Sequence, residues 1–342
     1  MSQIEYPFSY AILIGRFQPF HNAHAQLLQQ AFEQAQQVIV ALGSHRVAPN
    51  IKNPWTTAQR QVMITRSISP PQQARLSFVY LRDYLYNDNL WAAELQAQVA
   101  AITRENKSIA LIGHRKDSSS YYLEGFPQWQ YQDFVERLPI NATQLRESYL
   151  RGTNGWQAYV PLPVQEFLLQ FAQTDDYARL AEEQKFIDQY KKEWSVAPHP
   201  PIFVTVDAVV FKSGHILVVK RRGFPGKGQL ALPGGFVGQS EWLEHAAIRE
   251  LREETGIALP ANELRKFVRA SRVFDHPERS VRGRTITHGY YLNLGAVGDL
   301  PQVKGGDDAA KAFWMSLNDV YVNEDHFFED HVSIITHFVN RF

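Results

Sequence analysis

The stretch IGRFQPFHNAH, residues 14–24, places two histidines three residues apart, directly after the apolar run SYAILI. His21 and His24 stand where a segment with helical spacing begins, just behind Gly15 and Arg16. The first turn of a helix offers free N–H groups and the positive end of the helix dipole, so it is a ready phosphate site. Two imidazoles and one guanidinium there would surround a polyphosphate with hydrogen-bond donors. Such a site suits phosphoryl or nucleotidyl transfer, where catalysis is mostly positioning and neutralisation of charge.

A second segment, PINATQLRESYLRG (139–152), also opens a helical pattern with polar side chains. Asn141, Thr143 and Arg146 fall in its first turns and would supply donors of the same kind. Asn and Thr also begin helices simply as caps, and a histidine is equally at home as a hydrogen-bonded core residue or on the surface. Neither segment alone distinguishes the two interpretations.

The second half of the chain contains a longer pattern, LPGGFVGQSEWLEHAAIRELREETGI. Glu250, Glu253 and Glu254 lie at i, i+3 and i+4, so they share one face of a helix. Three clustered carboxylates repel one another unless cations lie between them, and an all-oxygen set of ligands favours Mg²⁺ or Mn²⁺. The carbonyl of Gly234 could add a further ligand. The pattern therefore indicates a site where metal neutralises a diphosphate and activates water.

Other residues of this pattern have supporting roles. Arg249 and Glu241 are interpreted as a pair that orients the carboxylates, and Gly235 permits a tight turn from loop to helix. The alternative is an amphipathic helix whose Glu and Arg side chains form a solvated face. That alternative accounts neither for the Gly-Gly loop nor for the fixed spacing.

Short apolar runs alternate with helical patterns in the first half of the chain. The runs AILI (11–14), QVIVAL (37–42), LSFVYL (76–81) and SIALIG (108–113) are typical of buried parallel strands. Strand–helix alternation predicts βαβ units and a doubly wound parallel sheet of the α/β class. Ligands bind such sheets beyond the carboxyl ends of the strands, which is where the two histidines are expected.

A change of composition near residues 175–201 predicts a domain boundary. DDYARLAEEQKFIDQYKKEW is typical of a charged amphipathic helix, and the prolines of SVAPHPP end it. The following PPIFVTVDAVVFKSGHILVVKRR predicts two strands around a Ser-Gly turn. We therefore expect a Rossmann-like domain at 1–174, a helical linker at 175–201 and an α/β/α domain at 202–342.

Composition excludes several classes of function. The 342 residues carry 35 Lys and Arg against 35 Asp and Glu, so the basic excess of a non-specific nucleic-acid binder is missing. The absence of cysteine excludes disulfides, thiolate nucleophiles and Cys-ligated zinc. The first residues lack the pattern of a signal peptide, and no apolar run reaches the ~18 residues of a membrane helix. We expect a cytoplasmic protein without nucleic-acid or membrane partners.

The segments GRFQPFHNAH and INATQLR resemble the HxGH-type nucleotidyltransferase superfamily, and within it the nicotinamide mononucleotide adenylyltransferases of the archaeal type. NPWTTAQR (53–60) and LRDYLYNDNLW (81–91) resemble two further motifs of that branch, so the resemblance covers residues 10–150. Ala23 replaces the family's Gly and Asn141 its Ser, and neither change removes a charged participant. The resemblance implies a transferase that takes ATP and nicotinamide mononucleotide.

The same resemblance implies roles for individual residues. The residues implied to hold the ATP phosphates and the developing negative charge are Arg16, His21, His24 and Arg146. Arg60 and Thr143 are implied to help bind nucleotide, and Asp83 to orient the nicotinamide nucleotide. Trp91 would stack on the nicotinamide ring, because an indole face is the best partner for a flat cationic ring; a core aromatic is the alternative. The polar stretch IGHRKDSSSYYL (112–123) is a candidate substrate loop, with Lys116 meeting a phosphate.

The pattern from Gly235 to Ile257 fills every specified position of the Nudix box, and residues 202–342 resemble the Nudix hydrolases. The resemblance implies hydrolysis of a nucleoside diphosphate linked to another group, with Glu253 and Glu254 as catalytic residues and Mg²⁺ or Mn²⁺ as cofactor. The implied metal ligands are Gly234, Glu250, Glu253 and Glu254.

The loop RVFDHPERSVRGRTITHGYYLNL (272–294) resembles the ADP-ribose-processing branch of that family. This makes Arg279, Arg282 and Arg284 candidate phosphate or ribose contacts. A solvated basic loop before a strand is the alternative. Residues 305–308 are expected near the catalytic water.

The order of adenylyltransferase, linker and Nudix domain resembles the bifunctional nicotinamide mononucleotide adenylyltransferase/Nudix hydrolases. We therefore expect one half to join ATP and nicotinamide mononucleotide into NAD and pyrophosphate, and the other to split ADP-ribose into AMP and ribose 5-phosphate. One alternative changes the substrate: another adenylyl acceptor, or another diphosphate such as NADH or a sugar nucleotide. A second alternative is an ADP-ribose-sensing regulator, which would carry a helix-turn-helix after the Nudix domain. Whether the chain forms a homo-oligomer stays open.

Overall fold

The computed structural model describes residues 5–105, 108–113, 125–134 and 140–341. The chain forms two compact units, residues 1–184 and 185–342. Within the described ranges, no helix combines the length and apolar character needed to cross a membrane.

A five-stranded parallel sheet forms the centre of the first unit, in the order β3-β2-β1-β4-β5. Its strands are β1 (Phe8–Gly15), β2 (Ala35–Leu42), β3 (Leu76–Tyr80), β4 (Ile109–Gly113) and β5 (Gln130–Asp133). The described helices of this unit are α1 (Asn22–Gln34), α2 (Thr57–Arg66), α3 (Pro70–Gln73), α4 (Asp88–Thr103), α5 (Ala142–Leu150) and α6 (Leu162–Phe171), with a 3-10 turn at Trp156–Tyr159. The predicted doubly wound parallel sheet is confirmed.

The four predicted strands are apolar because the sheet is covered on both faces. Ala11, Ile12 and Leu13 of β1 are completely buried, and Val38 and Ile39 of β2 are buried equally. The fifth strand, β5, was not predicted, since its sequence QYQD is polar and only partly buried at the edge of the sheet.

Loops that follow neighbouring parallel strands meet at one edge of the sheet. The chain leaves β1 at Gly15, β2 at Leu42 and β3 at Tyr80. This edge therefore receives the loop with the two histidines and the loop at 43–56.

The second unit is built on a mixed sheet in the order β10-β11-β6-β7-β12, with β8 paired to β7 and β9 to β6. Its strands are β6 (Phe203–Lys212), β7 (His215–Arg221), β8 (Leu230–Ala231), β9 (Gly234–Phe236), β10 (Val268–Phe274), β11 (Thr285–Asn293) and β12 (Ala309–Ser316). The described helices are α8 (Leu243–Thr255), α9 (Ala261–Lys266), α10 (Leu317–Val322) and α11 (His331–Val339), with a 3-10 turn at Glu324–His326. Strands β6 and β11 run parallel, and the other described pairs are antiparallel.

The predicted hairpin is formed by β6 and β7. Phe211 pairs with Ile216 and Lys212 with His215. The turn between them uses Ser213 and Gly214 with φ of 49° and 77°, left-handed values that match the right-handed twist of the strands.

The charged segment after residue 174 forms one helix, α7 (Asp175–Trp194), which is 20 residues long. The division between the two compact units falls within this helix, between residues 184 and 185. Leu180 and Ile187 are completely buried. The helical part of the predicted linker at 175–201 therefore has one completely buried residue on each side of the division.

Candidate active sites

His21 and His24 cap the start of α1 reciprocally. The Nδ1 atom of His21 accepts the backbone N–H of His24 at 3.4 Å, and the Nδ1 atom of His24 accepts the backbone N–H of His21 at 3.3 Å. The two rings stack with centroids 3.5 Å apart. This is the geometry of a capping box, formed by imidazoles. Since each Nδ1 is an acceptor, a neutral ring carries its proton on Nε2.

The environment keeps His24 neutral. Desolvation by burial, and then the neighbouring His21, lower the pKa of His24 well below its ordinary value, while the carbonyl of Pro19 acts in the opposite direction. A neutral imidazole at the positive end of a helix can donate a hydrogen bond to phosphate from Nε2 without requiring an acidic medium.

Arg146 joins the second motif to the first. Its guanidinium donates to the carbonyl of Gln18 at 2.7 Å, across 128 residues of sequence, and to Oγ1 of Thr143 at 3.0 Å. Asn141 caps α5 by accepting the N–H of Thr143 at 2.9 Å and that of Gln144 at 3.3 Å. The structure thus brings the two motifs into one site.

Gln18 is a positioning residue that the sequence did not indicate. Its side chain donates to the carbonyl of Trp55 at 2.9 Å and accepts the N–H of Trp55 at 3.2 Å. It is 2% exposed. The side chain therefore ties the histidine loop to the loop at 43–56, while the main chain receives Arg146.

Arg60 lies beneath the site. It is completely buried, and its Nη1 donates to the carbonyls of Arg16 and Gly43, both at 2.7 Å. Its Nη2 donates to the carbonyl of Ser44 at 3.2 Å and to Oγ1 of Thr57 at 3.1 Å. Burial lowers its pKa to about 10. This guanidinium fixes the loops after β1 and β2, so the help in nucleotide binding that was expected of Arg60 stays a prediction and would be given through these loops. The side chain of Arg16, in contrast, is exposed.

The candidate contacts of the nicotinamide nucleotide lie after β3. Oδ1 of Asp83 accepts the N–H of Ser44 at 3.1 Å, which joins this loop to the one after β2. Trp91, on α4, is partly buried against the core, with its ring centroid 6.0 Å from that of Phe126 at 55°. This indole lies at the margin of the core and keeps part of its surface exposed, so its stacking on the nicotinamide ring stays a prediction beside the alternative of a core aromatic. Lys116 lies outside the described residues.

In the second unit, the Gly-Gly loop and α8 approach closely. A Cβ on Gly235 would lie 2.5 Å from Oε1 of Glu250, so only glycine leaves room for this carboxylate. The helix ends at Gly256, whose φ of 52° is left-handed, as is usual for a helix C-terminus. The box therefore uses its glycines for close approach and for termination.

Arg249 connects three of the acidic side chains. It bonds both oxygens of Glu241 at 2.9 Å, Oε1 of Glu250 at 2.8 Å and Oε2 of Glu253 at 2.9 Å. Hydrogen bonding by Arg249 lowers the pKa of Glu241 and, in return, raises the pKa of Arg249. The expected Arg249–Glu241 pair is present in the structure.

Glu254 is the most enclosed of the three helix carboxylates. It is 5% exposed, and its Oε2 accepts the N–H of Gly234 at 3.0 Å. Burial raises its pKa to about 8 and also raises the pKa of Glu250. Charging these groups is costly unless a cation is close.

The donor set fits a divalent cation. Glu250, Glu253 and Glu254 offer carboxylate oxygens from one side of α8, and hard cations with oxygen ligands match that chemistry. Among the described residues, no three acidic or histidine side chains are already gathered at metal-binding distance. Arg249 bonds one oxygen of Glu250 and one of Glu253, so a cation would compete with this guanidinium for the two carboxylates.

The three arginines of the 272–294 loop have different surroundings. Arg279 is 5% exposed and bonds Asp330 through two nitrogens at 3.0 and 2.7 Å. This enclosed ion pair favours a structural role for Arg279 over the substrate contact that was predicted for it. Arg284 bonds the carbonyl of Asp275, whereas the guanidinium of Arg282 lies 5.7 Å from the ring centre of Phe236.

The loop at 304–306 lies against the end of α8. The N–H of Lys304 donates to the carbonyl of Thr255 at 2.8 Å, and that of Gly306 to the carbonyl of Glu254 at 3.0 Å. These bonds put residues 304–306 beside the C-terminal end of the acidic helix, and the expected place of residues 305–308 near the catalytic water stays a prediction.

Each half of the chain matches a different family model. A model described as cytidylyltransferase-like matches residues 12–148, and one described as a NUDIX domain matches residues 201–338. The nicotinamide/nicotinic acid mononucleotide adenylyltransferase of Acinetobacter baylyi is 40% identical over 184 residues, which are 54% of this chain and 97% of that relative. The ADP-ribose pyrophosphatase of Methanocaldococcus jannaschii is 36% identical over 129 residues, which are 38% of this chain and 69% of that relative.

A bifunctional NMN adenylyltransferase/ADP ribose pyrophosphatase from Francisella tularensis is similar along the whole chain. Its crystal structure aligns with a TM-score of 0.93 at 38% identity and covers 98% of this chain and 99% of its own. The crystal structure of its complex with AMP and a manganese ion aligns with a TM-score of 0.92 at 37% identity, covering 97% and 99%. The chain described here therefore belongs to the family of bifunctional NMN adenylyltransferase/ADP-ribose pyrophosphatases.

Proposed function

We propose that the first unit transfers the adenylyl group of ATP to nicotinamide mononucleotide, giving NAD and pyrophosphate. The observation that carries this proposal is the bond from Arg146 to the carbonyl of Gln18, which joins the second motif to the loop of the stacked His21–His24 pair. The names of the relatives from Acinetobacter and Francisella support the same reaction.

The residues of this site act by position and charge. A phosphate oxygen of nicotinamide mononucleotide attacks the α-phosphorus of ATP, and the bond from that phosphorus to the bridging oxygen breaks to release pyrophosphate. Negative charge grows on the leaving group, where Nε2–H donors of His21 and His24 and the guanidiniums of Arg16 and Arg146 stabilise it. Asp83 and Trp91 are proposed to hold the acceptor.

We propose that the second unit hydrolyses ADP-ribose to AMP and ribose 5-phosphate. Water attacks one phosphorus of the diphosphate, and the bridging P–O bond breaks. Glu253, whose side chain is 46% exposed, is proposed to take a proton from water in addition to its place among the ligands, and the buried Glu250 and Glu254 would bind cation only. Arg282 is the loop cation proposed to meet the substrate.

A divalent metal belongs to this chemistry, and we propose Mg²⁺ or Mn²⁺. When bound, the cation supplies positive charge at the diphosphate and activates water. Glu250, Glu253, Glu254 and the carbonyl of Gly234 would hold it. We propose that the transferase comprises residues 1–174, the hydrolase residues 202–342 and the helical linker residues 175–201, of which Asp175–Trp194 form the helix.

The experiment is to assay one preparation of the full chain for both reactions. ATP with nicotinamide mononucleotide should yield NAD and pyrophosphate, and ADP-ribose should yield AMP and ribose 5-phosphate. NADH and a sugar nucleotide serve as competing hydrolase substrates, and EDTA followed by added Mg²⁺ or Mn²⁺ tests the metal requirement. A higher kcat/KM for NADH than for ADP-ribose would overturn the substrate assignment, and metal-independent hydrolysis would overturn the role of the carboxylates.

A further inference from the structure

A buried polar cluster lies beside the acidic helix of the second unit. Asp207, Arg279, Asp330 and His331 are each no more than 5% exposed. Oδ2 of Asp207 accepts the hydroxyl of Thr287 at 2.6 Å and lies 4.0 Å from the guanidinium of Arg279. The reaction described above uses none of these side chains directly, so their burial requires another explanation.

One member of this cluster holds the backbone before the Gly-Gly loop. Nδ1 of His331 accepts the N–H of Leu232 at 2.8 Å, and both groups are buried. The same stretch of chain contributes the N–H of Phe328, which donates to the carbonyl of Leu230 at 2.7 Å. The segment at 328–331 thus holds the backbone of residues 230–232 through two hydrogen bonds, one made by the side chain of His331 and one by the main chain of Phe328.

Gly234 transmits that position to Glu254. Its N–H donates to Oε2 of Glu254 at 3.0 Å. On its other side, a Cβ would lie 2.2 Å from the carbonyl oxygen of Val206 and 2.6 Å from Oδ1 of Asp207. The peptide at 233–234 is therefore enclosed between β6 and Glu254, with the carbonyl of Pro233 accepting the N–H of Ala208 at 2.8 Å. The donor that orients this carboxylate thus lies two residues along the chain from Leu232.

We propose that His331 is a positioning residue for the metal site of the hydrolase, acting on Glu254 through the Leu232–Gly234 backbone. The inference rests on the function proposed for the second unit. Because Nδ1 is an acceptor, the neutral ring carries its proton on Nε2, which lies 3.9 Å from Oδ1 of Asp207. Asp207 is held by the hydroxyl of Thr287 and by the nearby guanidinium of Arg279. Asp207 in turn orients the imidazole ring of His331, and this ring orients the backbone at Leu232.

Two variants of almost equal size separate hydrogen bonding from packing. In His331→Asn, Oδ1 takes the place of Nδ1 as the acceptor for Leu232; His331→Leu removes the acceptor. The probe is Mn²⁺, and its binding to the full chain is measured from the electron paramagnetic resonance signal of the free ion. Residues that orient metal ligands typically change affinity about 10–100-fold, so the Leu variant should bind Mn²⁺ at least tenfold more weakly, with the Asn variant close to wild type.

His337→Leu is the matched control. It lies on the same helix, α11, and contacts Arg272 instead of residues 230–232, so its Mn²⁺ affinity should not change. Equal weakening in the Asn and Leu variants would show that His331 acts by packing, and wild-type affinity in the Leu variant would overturn the inference outright. If the Leu variant does not fold, Thr287→Val decides the matter: unchanged Mn²⁺ affinity there overturns the inference, and weaker binding supports it.

Different results would refute the proposed hydrolase substrate and the proposed role of His331. A wild-type chain that binds Mn²⁺ but leaves ADP-ribose intact would refute the proposed hydrolase substrate. The comparison of Mn²⁺ affinities would still test His331, since it does not use the reaction as its readout. NAD synthesis by every variant should match wild type.

Discussion

His21 and His24 each use Nδ1 to accept the other's backbone N–H, so a substitution at either position alters both the helix start and the chemistry. An alanine variant cannot separate the two effects. Asparagine places an amide oxygen near the position of Nδ1, which preserves the acceptor, and it removes Nε2. It is therefore the informative substitution at position 24.

We expect His24→Asn to lower the turnover number for NAD synthesis by about 10²–10³, because such donors stabilise charge that appears in the transition state. The Michaelis constants for ATP and nicotinamide mononucleotide should change little. Steady-state kinetics measure the turnover number and the Michaelis constants, and thermal denaturation checks that the helix start is still stable. A variant with wild-type turnover would show that His24 serves only as a helix cap.

Trp91 makes a second prediction at this scale. Trp91→Ala should raise the Michaelis constant for nicotinamide mononucleotide and leave that for ATP nearly unchanged, because the indole is the proposed partner of the cationic ring. Trp91→Phe keeps an aromatic face, so its Michaelis constant for nicotinamide mononucleotide should lie between those of wild type and Trp91→Ala. If the loss is shared equally by ATP, the packing of Trp91 near Phe126 is its whole role.

Among the elements, strand β9 and the loop that joins it to α8 offer the sharpest test of the metal site. In Gly235→Ala the new Cβ would lie 2.5 Å from Oε1 of Glu250, so that carboxylate must move. We expect the metal concentration for half-maximal ADP-ribose hydrolysis to rise about 10–100-fold, with NAD synthesis unchanged. Gly238→Ala, three residues further along, is the control, since its Cβ would lie 3.4 Å from Oε2 of Glu241. Equal effects of both substitutions would count against a specific role of Gly235.

Helix α11 should make stability depend on pH. Burial, followed by Arg272 and Arg341, lowers the pKa of His337 to about 4. As the pH falls below the ordinary histidine pKa of about 6.5, His337 binds a proton in the unfolded chain but stays neutral in the folded chain. The contribution of neutral His337 to the free energy of unfolding is therefore fully present above about pH 6.5 and is lost as the pH falls from there to about 4.

The measurement compares urea unfolding of wild type and His337→Gln at pH 7 and pH 4.5. The wild-type midpoint should fall further than that of the variant, because glutamine does not titrate. An equal fall in both chains would show that other groups, such as the buried His331, account for the whole dependence.

The sequence predicted those elements whose pattern follows from local periodicity. The four apolar strands, the Ser-Gly hairpin and the acidic helix all carry such a pattern. Residues whose side chains bind distant backbone groups carry no such pattern. Gln18 binds the backbone of Trp55 and Arg60 binds three loop carbonyls, and a contact with main chain leaves no matching side chain in the sequence. Arg279 appeared in a substrate-like loop, although its partner Asp330 lies 51 residues away.

At the scale of the whole molecule, two reactions are proposed for two compact units. Each unit has its own sheet and its own set of reactive side chains. Substitutions in one site should therefore leave the other reaction intact, even though the helix Asp175–Trp194 contributes residues to both units.

Glu254→Gln tests this independence. The change keeps the size of the side chain and removes one charge from the metal-binding face, so ADP-ribose hydrolysis should fall by orders of magnitude. Added Mg²⁺ or Mn²⁺ should restore it only in part, and NAD synthesis on the same preparation should hardly change. A parallel loss of both activities would contradict the proposed division of the chain.

The contact between His331 and Leu232 spans 99 residues of sequence, and this has a consequence for synthesis on the ribosome. Domains fold in the order in which they leave the exit tunnel, the N-terminal one first. The histidine pair and Arg146 are translated early, so the transferase can be complete while much of the hydrolase is still unmade. The segment that orients Glu254 lacks its support until residue 331 has left the tunnel. A nascent chain should therefore make NAD before it can degrade ADP-ribose.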